Sequence, residues 1–302
     1  MGKRSNLLPP FLNMRKTLFL TFSLSIFLGL VSLVDRRLWK ASHGFCLHVI
    51  ETPLPSLPDP NPPMTFPKDI LSQPFHYLGK GAQSFVFESA DKTTVLKFYR
   101  YPSRLRRFPW TRHPFGYFFP SFCLPMKERS LKRLKLSFHS FFLAATSLKQ
   151  ETRVIYVHLQ PTSHLRHTVH LIDRIGVQYE LPLDSIAFVV QEKGASFLPT
   201  FQQKLLQGDH RECKHMLDSL ISVIARRCKH DITDLDNMDN DNYGWLNHQA
   251  IHLDIGRFQE KELSDPSKTR KEVLRVTAPL TKELQQTSPE LYAYFIQQVD
   301  AL

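Results

Sequence analysis

Oxygen-bearing side chains are concentrated in one stretch of the sequence, from Asp231 to Asn242. Two short apolar runs follow this stretch, and the turn between them is rich in Asn, His and Gln, which predicts a β-hairpin. The hairpin ends at Asp254-Ile255-Gly256, so hard oxygen ligands lie at both of its ends. A site for Mg²⁺ and phosphate requires such ligands, whereas the spacing of the acids does not fit the Ca²⁺-binding EF-hand. The stretch therefore predicts metal-assisted phosphate chemistry.

A glycine-rich sequence, Gly79-x-Gly81-x-x-Ser84, lies between two predicted strands. Dinucleotide binding would require a helix directly after it, but a strand-like apolar run follows, and the Gly-Lys-Ser/Thr of a P-loop is absent. A third predicted strand, Thr93 to Tyr99, projects Lys97 from one face. Glycines let the backbone approach phosphates closely and a lysine supplies positive charge, so these residues predict a phosphate-covering loop with its cation.

The periodicity of the remaining sequence predicts the elements that hold these residues. We expect a helix over residues 126–158, whose second half is the better candidate for burial and contains Glu151, our predicted partner for Lys97. Two more strands, one helical region and two final helices are predicted at Thr168 to Ile175, Ile186 to Gln191, Leu198 to Arg227, Pro266 to Val276 and Pro289 to Val299.

The order of these parts over about residues 72–258 resembles the protein-kinase-like superfamily. The resemblance implies a small, atypical, bacterial-type member, closer in size to aminoglycoside- or lipid-type kinases than to eukaryotic protein kinases. It implies an α+β, two-lobed fold with an antiparallel-sheet N-lobe and a small helical C-lobe. The N-lobe would span residues 69–195, with a basic-aromatic insertion at 100–135, and the reduced C-lobe would span 196–302.

The same resemblance implies a site for ATP and Mg²⁺. The His-Arg-Asp-x-x-x-x-Asn spacing of such kinases is missing, and we predict Asp236 as the catalytic base, with Asp231 and Asp234 as alternates. The other implied roles are phosphate covering by Gly79, Gly81 and Ser84; phosphate binding by Lys97, paired with Glu151; the adenine hinge at Gln191, Glu192 and Lys193; and metal binding by Asn242 and Asp254.

Three functions are compatible with this reading. Retained Lys97, Asn242 and Asp254 favour an ATP- and Mg²⁺-dependent phosphotransferase whose acceptor the sequence does not name. The irregular base spacing, the missing Ala-Pro-Glu motif and the short C-lobe favour a pseudokinase that acts as a membrane scaffold or nucleotide sensor. A non-enzymatic basic adaptor at the membrane surface is the third function.

The N-terminal region predicts attachment to a membrane. After a basic tail at residues 1–16, residues 17–34 carry no charge, and eighteen residues at 1.5 Å each are long enough to span the hydrocarbon core. Basic residues follow at once and no small-x-small cleavage site lies close behind, which favours a retained single-pass anchor over a signal peptide. Residues 35–68 form a juxtamembrane and Pro-rich spacer. Because ATP is cytosolic, an active enzyme would face the cytosol.

Residues 100–135 contain ten Lys or Arg against one acid, Glu128, which accounts for +9 of the net charge of +11. The same block carries many aromatic residues. A chain anchored in a bilayer meets anionic lipid directly, so we expect this block to bind the membrane surface, and nucleic acid is the less favoured partner. The four cysteines are far apart and predict neither a metal site nor a disulfide framework.

Overall fold

The computed structural model describes residues 10–51, 60–81, 83–100, 120–238 and 242–302, with side chains omitted at 10–17 and 120–130. The basic N-terminal tail up to residue 9, the spacer at 52–59 and most of the predicted basic-aromatic insertion therefore lie outside what is described. The chain divides into two compact units, Met1–Cys46 and Leu47–Leu302.

The first unit consists mainly of one long helix, α1 (Pro10–Ala41). Its apolar side chains are exposed from Leu18 onward. Within the described residues, Leu18–Ala41 is long and apolar enough to cross a membrane. The helix extends beyond the predicted 17–34 segment. A membrane anchor and a secretory signal sequence both meet these criteria.

A seven-stranded sheet forms the first part of the second unit, in the order β4-β7-β3-β2-β1-β5-β6. Every neighbouring pair is antiparallel except β1 and β5. Aromatic residues such as Phe85, Phe87 and Phe98 are buried in the sheet. Phe85 and Phe87 lie on the same face of β2, because successive side chains of a strand alternate between its two faces. The strands are β1 (Phe75–Lys80), β2 (Ser84–Ser89), β3 (Thr94–Tyr99), β4 (Val154–His158), β5 (Thr168–Ile172), β6 (Gln178–Pro182) and β7 (Phe188–Glu192).

The predicted helix over residues 126–158 is wrong in its second half. The structure has a long helix α4 (Pro120–Thr146), a separate short helix α5 (Lys149–Thr152) and then strand β4. Arg153 adopts a left-handed conformation, with φ 54°, and ends α5. The β-branched and aromatic run that follows fits a strand better than a helix. The described residues before α4 also contain two short helices, α2 (Leu47–Ile50) and α3 (Lys68–Leu71).

The folded region begins earlier than the predicted boundary at residue 69. The Asn61 side chain accepts hydrogen bonds from the main-chain N–H groups of Leu159 (2.6 Å) and Gln160 (2.8 Å). Phe66 makes an edge-to-face contact with Tyr156, with ring centroids 5.4 Å apart. Residues 60–67 therefore dock on the end of β4 instead of forming a free spacer.

Five helices and short strands form the second part of this unit. Helix α7 buries the predicted apolar stripe, which includes Leu217, Leu220 and Ile224. The two predicted final helices are confirmed, and a third lies between them. The helices are α6 (Phe197–Leu206), α7 (His210–Lys229), α8 (Pro266–Val276), α9 (Ala278–Thr287) and α10 (Pro289–Asp300). The short strands are β8 (Ala195–Ser196), β9 (Ile232–Asp234), β10 (Tyr243–Leu246), β11 (Gln249–His252) and β12 (Phe258–Glu260).

The short strands hold the acidic stretch in place. β10 and β11 form the predicted hairpin, and β8 pairs with β10 on its other side. β9 pairs with β12, with Asp234 opposite Phe258. The residues between the hairpin and β12, including Asp254, are thus fixed against the segment that contains Asp234. The antiparallel-rich sheet and the helices confirm the α+β class.

Candidate functional site

A cavity of about 470 Å³ lies between the seven-stranded sheet and the exit of the hairpin. Its walls include the glycine loop (residues 79–81 and 83–84), the Lys97 face of β3, residues 193–196 after β7, and residues 253–256 after β11. This volume is within the range of small-molecule sites. The structure therefore brings the glycine loop, Lys97 and Asp254, which are far apart in the sequence, around one space.

Among the described residues, three lysines line this cavity, Lys80, Lys97 and Lys193, and Lys97 is the one that contacts the exit of the hairpin. Its Nζ atom donates a hydrogen bond to the main-chain oxygen of Leu253 at 2.6 Å. Burial lowers the pKa of Lys97 to about 8, and the nearby charge of Asp254 opposes this effect. Lys97 is therefore a poorly solvated ammonium group that faces the hairpin exit, and an anionic ligand would stabilise its charged form.

The predicted pairing of Glu151 with Lys97 is wrong. Glu151 lies on the short helix α5, where its buried carboxylate accepts a hydrogen bond from Arg226 Nε at 3.0 Å. The helix that lines the cavity is α4, which contributes Phe141. From residue 131 to its end, α4 contains no acidic residue. Because the helix is interrupted between α4 and α5, Glu151 does not lie on the helix that lines the cavity.

The glycine loop has the open geometry expected for a phosphate-covering loop. The Gly81 N–H donates to the main-chain oxygen of Ser84 at 2.9 Å, which tightens the turn. Within the described residues, no atom lies within 4 Å of where a Cβ at Gly79 would be. A side chain there would extend into space that a ligand could occupy, so the glycine leaves a cradle at the mouth of the cavity.

The predicted hinge residues lie beside the cavity, but only one of them lines it. Gln191 is buried, and its side-chain Nε2 donates to the main-chain oxygens of Thr152 (2.6 Å) and His252 (2.8 Å). The N–H groups of Glu192 and Lys193 donate to other main-chain oxygens, at 3.1 and 2.8 Å. The cavity wall is instead formed by Lys193 to Ser196. The segment that could contact a base therefore lies further along the chain than predicted.

The two predicted metal ligands, Asn242 and Asp254, meet at the open end of the hairpin. The main-chain oxygen of Asn242 accepts hydrogen bonds from the N–H groups of Leu253 (2.9 Å) and Asp254 (3.3 Å). The Asn242 side chain donates through Nδ2 to Asn237 O at 2.6 Å, and its amide oxygen makes no hydrogen bond to a described residue. Asp254 is exposed, and one of its carboxylate oxygens accepts from Gly256 N–H at 3.1 Å. Two hard oxygen donors beside a phosphate cradle fit Mg²⁺, which usually completes its coordination with phosphate and water.

The three candidate bases have different surroundings. Asp231 accepts hydrogen bonds from Leu263 N–H (2.7 Å) and Ser264 N–H (2.9 Å), which lower its pKa, so it fastens the chain after β12. Asp234 is buried, 3.8 Å from a guanidinium nitrogen of Arg227, and burial raises the pKa of Asp234 to about 6. Asp231 thus holds the segment after β12, whereas Asp234 accepts a hydrogen bond from Asp236 N–H at the start of the acidic loop.

Asp236, which is half-buried like Asp231, forms an ion pair with Arg257. Its carboxylate is 2.6 Å from Arg257 Nη1, and its N–H donates to Asp234 Oδ1 at 3.0 Å. Burial is the main cause of the raised pKa of Asp234, and the charges of Asp236 and Asp254 add to it. Asp236 is not among the described residues that line the cavity, and Arg257 occupies its carboxylate in this structure.

A buried arginine network, which the sequence interpretation missed, supports the acidic loop. Arg227 is fully buried and donates to Glu272 Oε1 at 2.8 Å. Arg275 also contacts Glu272, and it donates to the main-chain oxygen of Asp234 and to Asn237 Oδ1. Arg227 follows Ile224 by three residues and therefore continues the apolar stripe of α7. A charged residue at such a core position was the signal in the sequence that could have revealed this network.

Comparison with known proteins gives distant likenesses only. No protein-family model and no curated protein matches the chain. The bifunctional kinase-methyltransferase WbdD aligns over 74% of this chain and 46% of its own length, with 16% identity and a TM-score of 0.35. Rv3197 of Mycobacterium tuberculosis, solved in complex with erythromycin, aligns over 96% and 75%, with 13% identity and a TM-score of 0.34. The chain thus spans less than half the length of WbdD, and both likenesses concern the fold alone.

Proposed function

We propose that the protein is a membrane-anchored phosphotransferase of the protein-kinase-like fold that uses ATP and Mg²⁺. One observation carries this proposal: the glycine loop, Lys97 and Asp254 line the same cavity. Phosphoryl transfer depends mainly on positioning phosphates and neutralising their charge, and these residue types supply both functions. In this reading the seven-stranded sheet and α4 form the N-lobe, and the helices from α6 onward form the C-lobe.

Each group of residues then has one task. The glycine loop covers the phosphates, and Lys97 neutralises part of their negative charge. Asp254 and Asn242 hold the metal. Bound ATP and Mg²⁺ supply the transferable phosphoryl group and its charge neutralisation. Asp236 accepts the proton of the acceptor hydroxyl, and this requires Arg257 to release the Asp236 carboxylate, because the ion pair occupies it in this structure.

A pseudokinase is the second candidate function. No helix carboxylate of the described part of α4 faces Lys97, and the candidate base is covered by Arg257. Both observations favour a fold that binds nucleotide without rapid transfer, as a scaffold or sensor would. The rate of phosphate transfer therefore separates this candidate from the first one, whereas nucleotide binding does not.

The first experiment is thermal unfolding of the full chain in nanodiscs, with and without Mg²⁺–ATP. Ligand at a hundred times its dissociation constant should stabilise the fold by about 2.7 kcal/mol. Lys97→Met and Asp254→Asn should lose this stabilisation, whereas Lys149→Met, which replaces an exposed lysine, should keep it. Absence of any shift in the well-folded wild type would refute nucleotide binding and leave the non-enzymatic adaptor. A shift accompanied by MgATP turnover that Asp236→Asn abolishes would favour the enzyme over the pseudokinase.

We also propose that the basic block contacts anionic lipid. Its described members Lys132, Arg133 and Lys135 are exposed on α4. Each basic residue near an anionic surface contributes about 1 kcal/mol, so replacing all three with Gln should weaken binding by about 3 kcal/mol. Vesicle sedimentation of the compact unit Leu47–Leu302 tests this without the N-terminal helix. Equal binding to neutral and phosphatidylserine vesicles would reject the proposal.

A further inference from the structure

Gln83, at the tip of the glycine loop, joins three parts of the cavity wall. Its side-chain Oε1 accepts a hydrogen bond from the hydroxyl of Ser137 on α4, at 2.5 Å. The same side chain covers Gly256, where a Cβ would lie only 2.7 Å from Oε1. Its main-chain oxygen accepts from Arg100 N–H at 2.9 Å, which fixes the backbone at the end of the loop.

These contacts orient the amide group. The single Ser137 hydroxyl proton has a second acceptor beside it, Arg133 O at 2.9 Å, so the hydroxyl is held against its own helix as well as against Gln83. Because Ser137 occupies the carbonyl oxygen of Gln83, the NH₂ group is the end of the amide that remains for a ligand. Within the described part of the chain this NH₂ group makes no hydrogen bond, and Gln83 lines the cavity together with Lys97 and Asp254.

We propose that Gln83 is a phosphate-positioning residue, whose amide N–H donates to the terminal phosphate of the nucleotide, and that Ser137 sets its orientation. This inference rests on the proposed function and adds a specificity: the site should distinguish a triphosphate from a diphosphate. The donor is neutral, so it adds a directional hydrogen bond without further charge beside Lys97.

The same geometry explains the glycine at position 256. Gly256 has no positive φ that would require a glycine, but any side chain there would collide with the Gln83 amide. Replacing Gly256 with Ala should therefore displace the Gln83 side chain and have the same effect as removing it, although the two residues are distant in the sequence. This gives a second variant that tests the proposal without altering Gln83 itself.

The experiment measures the affinities of the full chain in nanodiscs for adenosine, Mg²⁺–ADP and Mg²⁺–ATP by isothermal titration. Loss of one hydrogen bond to a charged group should reduce the preference for ATP over ADP about tenfold in Gln83→Ala. Gln83→Glu should reduce the preference for ATP over ADP by at least the same factor, because it places a carboxylate near the phosphates. Ser137→Ala should lose part of the preference, and adenosine binding should stay unchanged in all of these variants. Gln207→Ala, at an exposed helix end, is the control.

An unchanged ATP-to-ADP ratio in both Gln83→Ala and Gly256→Ala would overturn the proposal. Tighter ATP binding in Gln83→Ala would also overturn it, since Gln83 would then obstruct the cavity. If Gln83→Ala does not fold, Gln83→Asn, which withdraws the amide by one methylene, gives the same comparison. Failure of the wild type to bind any of the three ligands would instead refute the proposed function, and this inference with it.

Discussion

Replacement of Lys97 by Met should stabilise the unliganded protein while abolishing its response to nucleotide. Burial lowers the pKa of Lys97 from its usual 10.5 to about 8, so at neutral pH the fold holds an ammonium group that would be better solvated in the unfolded chain. Each pKa unit corresponds to about 1.4 kcal/mol, so the charge costs about 3 kcal/mol at pH 7. This is an upper limit, because part of the side chain still contacts solvent.

The increase in the free energy of unfolding that Lys97→Met produces is smaller than this cost. Removing the ammonium group leaves the main-chain oxygen of Leu253 without its 2.6 Å donor, which should cost about 1 kcal/mol. We therefore expect the Met variant to be more stable than wild type by about 2 kcal/mol at pH 7. For a domain of this size, that corresponds to a rise in melting temperature of about 5 °C.

The pH dependence gives the sharper test. A depressed folded-state pKa means that the unfolded chain binds more protons between pH 8 and 10.5, so wild-type stability rises with pH in this window. The advantage of Lys97→Met should fall from about 2 kcal/mol at pH 7 to near zero at pH 9.5. Urea unfolding followed by tryptophan fluorescence measures both proteins, with Lys149→Met as the exposed control. A difference that does not change with pH, or a Met variant that is less stable at pH 7, would refute the reasoning.

Three further predictions concern the residues around the site. Arg227→Met should lower the free energy of unfolding by about 3–5 kcal/mol, because it removes the buried cation beside Asp234 and leaves Glu272 with Arg275 alone, whereas Arg257→Met, at a half-exposed pair, should cost less than about 1 kcal/mol. Chemical denaturation of this matched pair measures both values, and equal effects would contradict the burial argument. Glu151→Gln should leave the nucleotide-induced thermal shift intact, because Glu151 pairs with Arg226; loss of the shift would restore a role for Glu151 at the site. Binding of Mg²⁺–ATP at pH 8.5 should take up protons at Lys97, which titration in buffers of different ionisation enthalpy detects, and uptake that persists in Lys97→Met would contradict the assignment.

The parts of the site that the sequence predicted are those set by local pattern. Alternation along β3 fixes the face on which Lys97 lies, and the hairpin brings Asn242 and Asp254 together because its two strands pair in register. The glycine loop follows from two strands joined by a short turn. Each of these relations is contained within a few residues or one hairpin, so periodicity and turn residues are enough to predict them.

The parts that were predicted wrongly depend on contacts across the chain. The partner of Glu151 is set by where α4 ends and by the approach of α7, and neither is visible in the spacing between Glu151 and Lys97. Gln191 was predicted as a hinge residue, but its amide joins α5 to β11. A side chain's role thus depends on which hydrogen bonds the fold leaves unsatisfied, and a single sequence gives little information about these.

Helix α4 supports the cavity in a way that changes the electrostatics of Lys97. It contacts the glycine loop through the hydrogen bond between Ser137 and Gln83. It contacts the hairpin exit through Ser140, whose hydroxyl donates to Ile255 O and accepts from Phe258 N–H. Hydroxyl groups fix geometry without supplying negative charge. Lys97 therefore has Asp254 but no described helix carboxylate to stabilise its ammonium form, and its pKa falls. A phosphate in the cavity would supply that missing charge, so ligand binding and protonation of Lys97 must favour each other by the same free energy. The low pKa of the free protein and its affinity for an anionic ligand are consequently two effects of one arrangement.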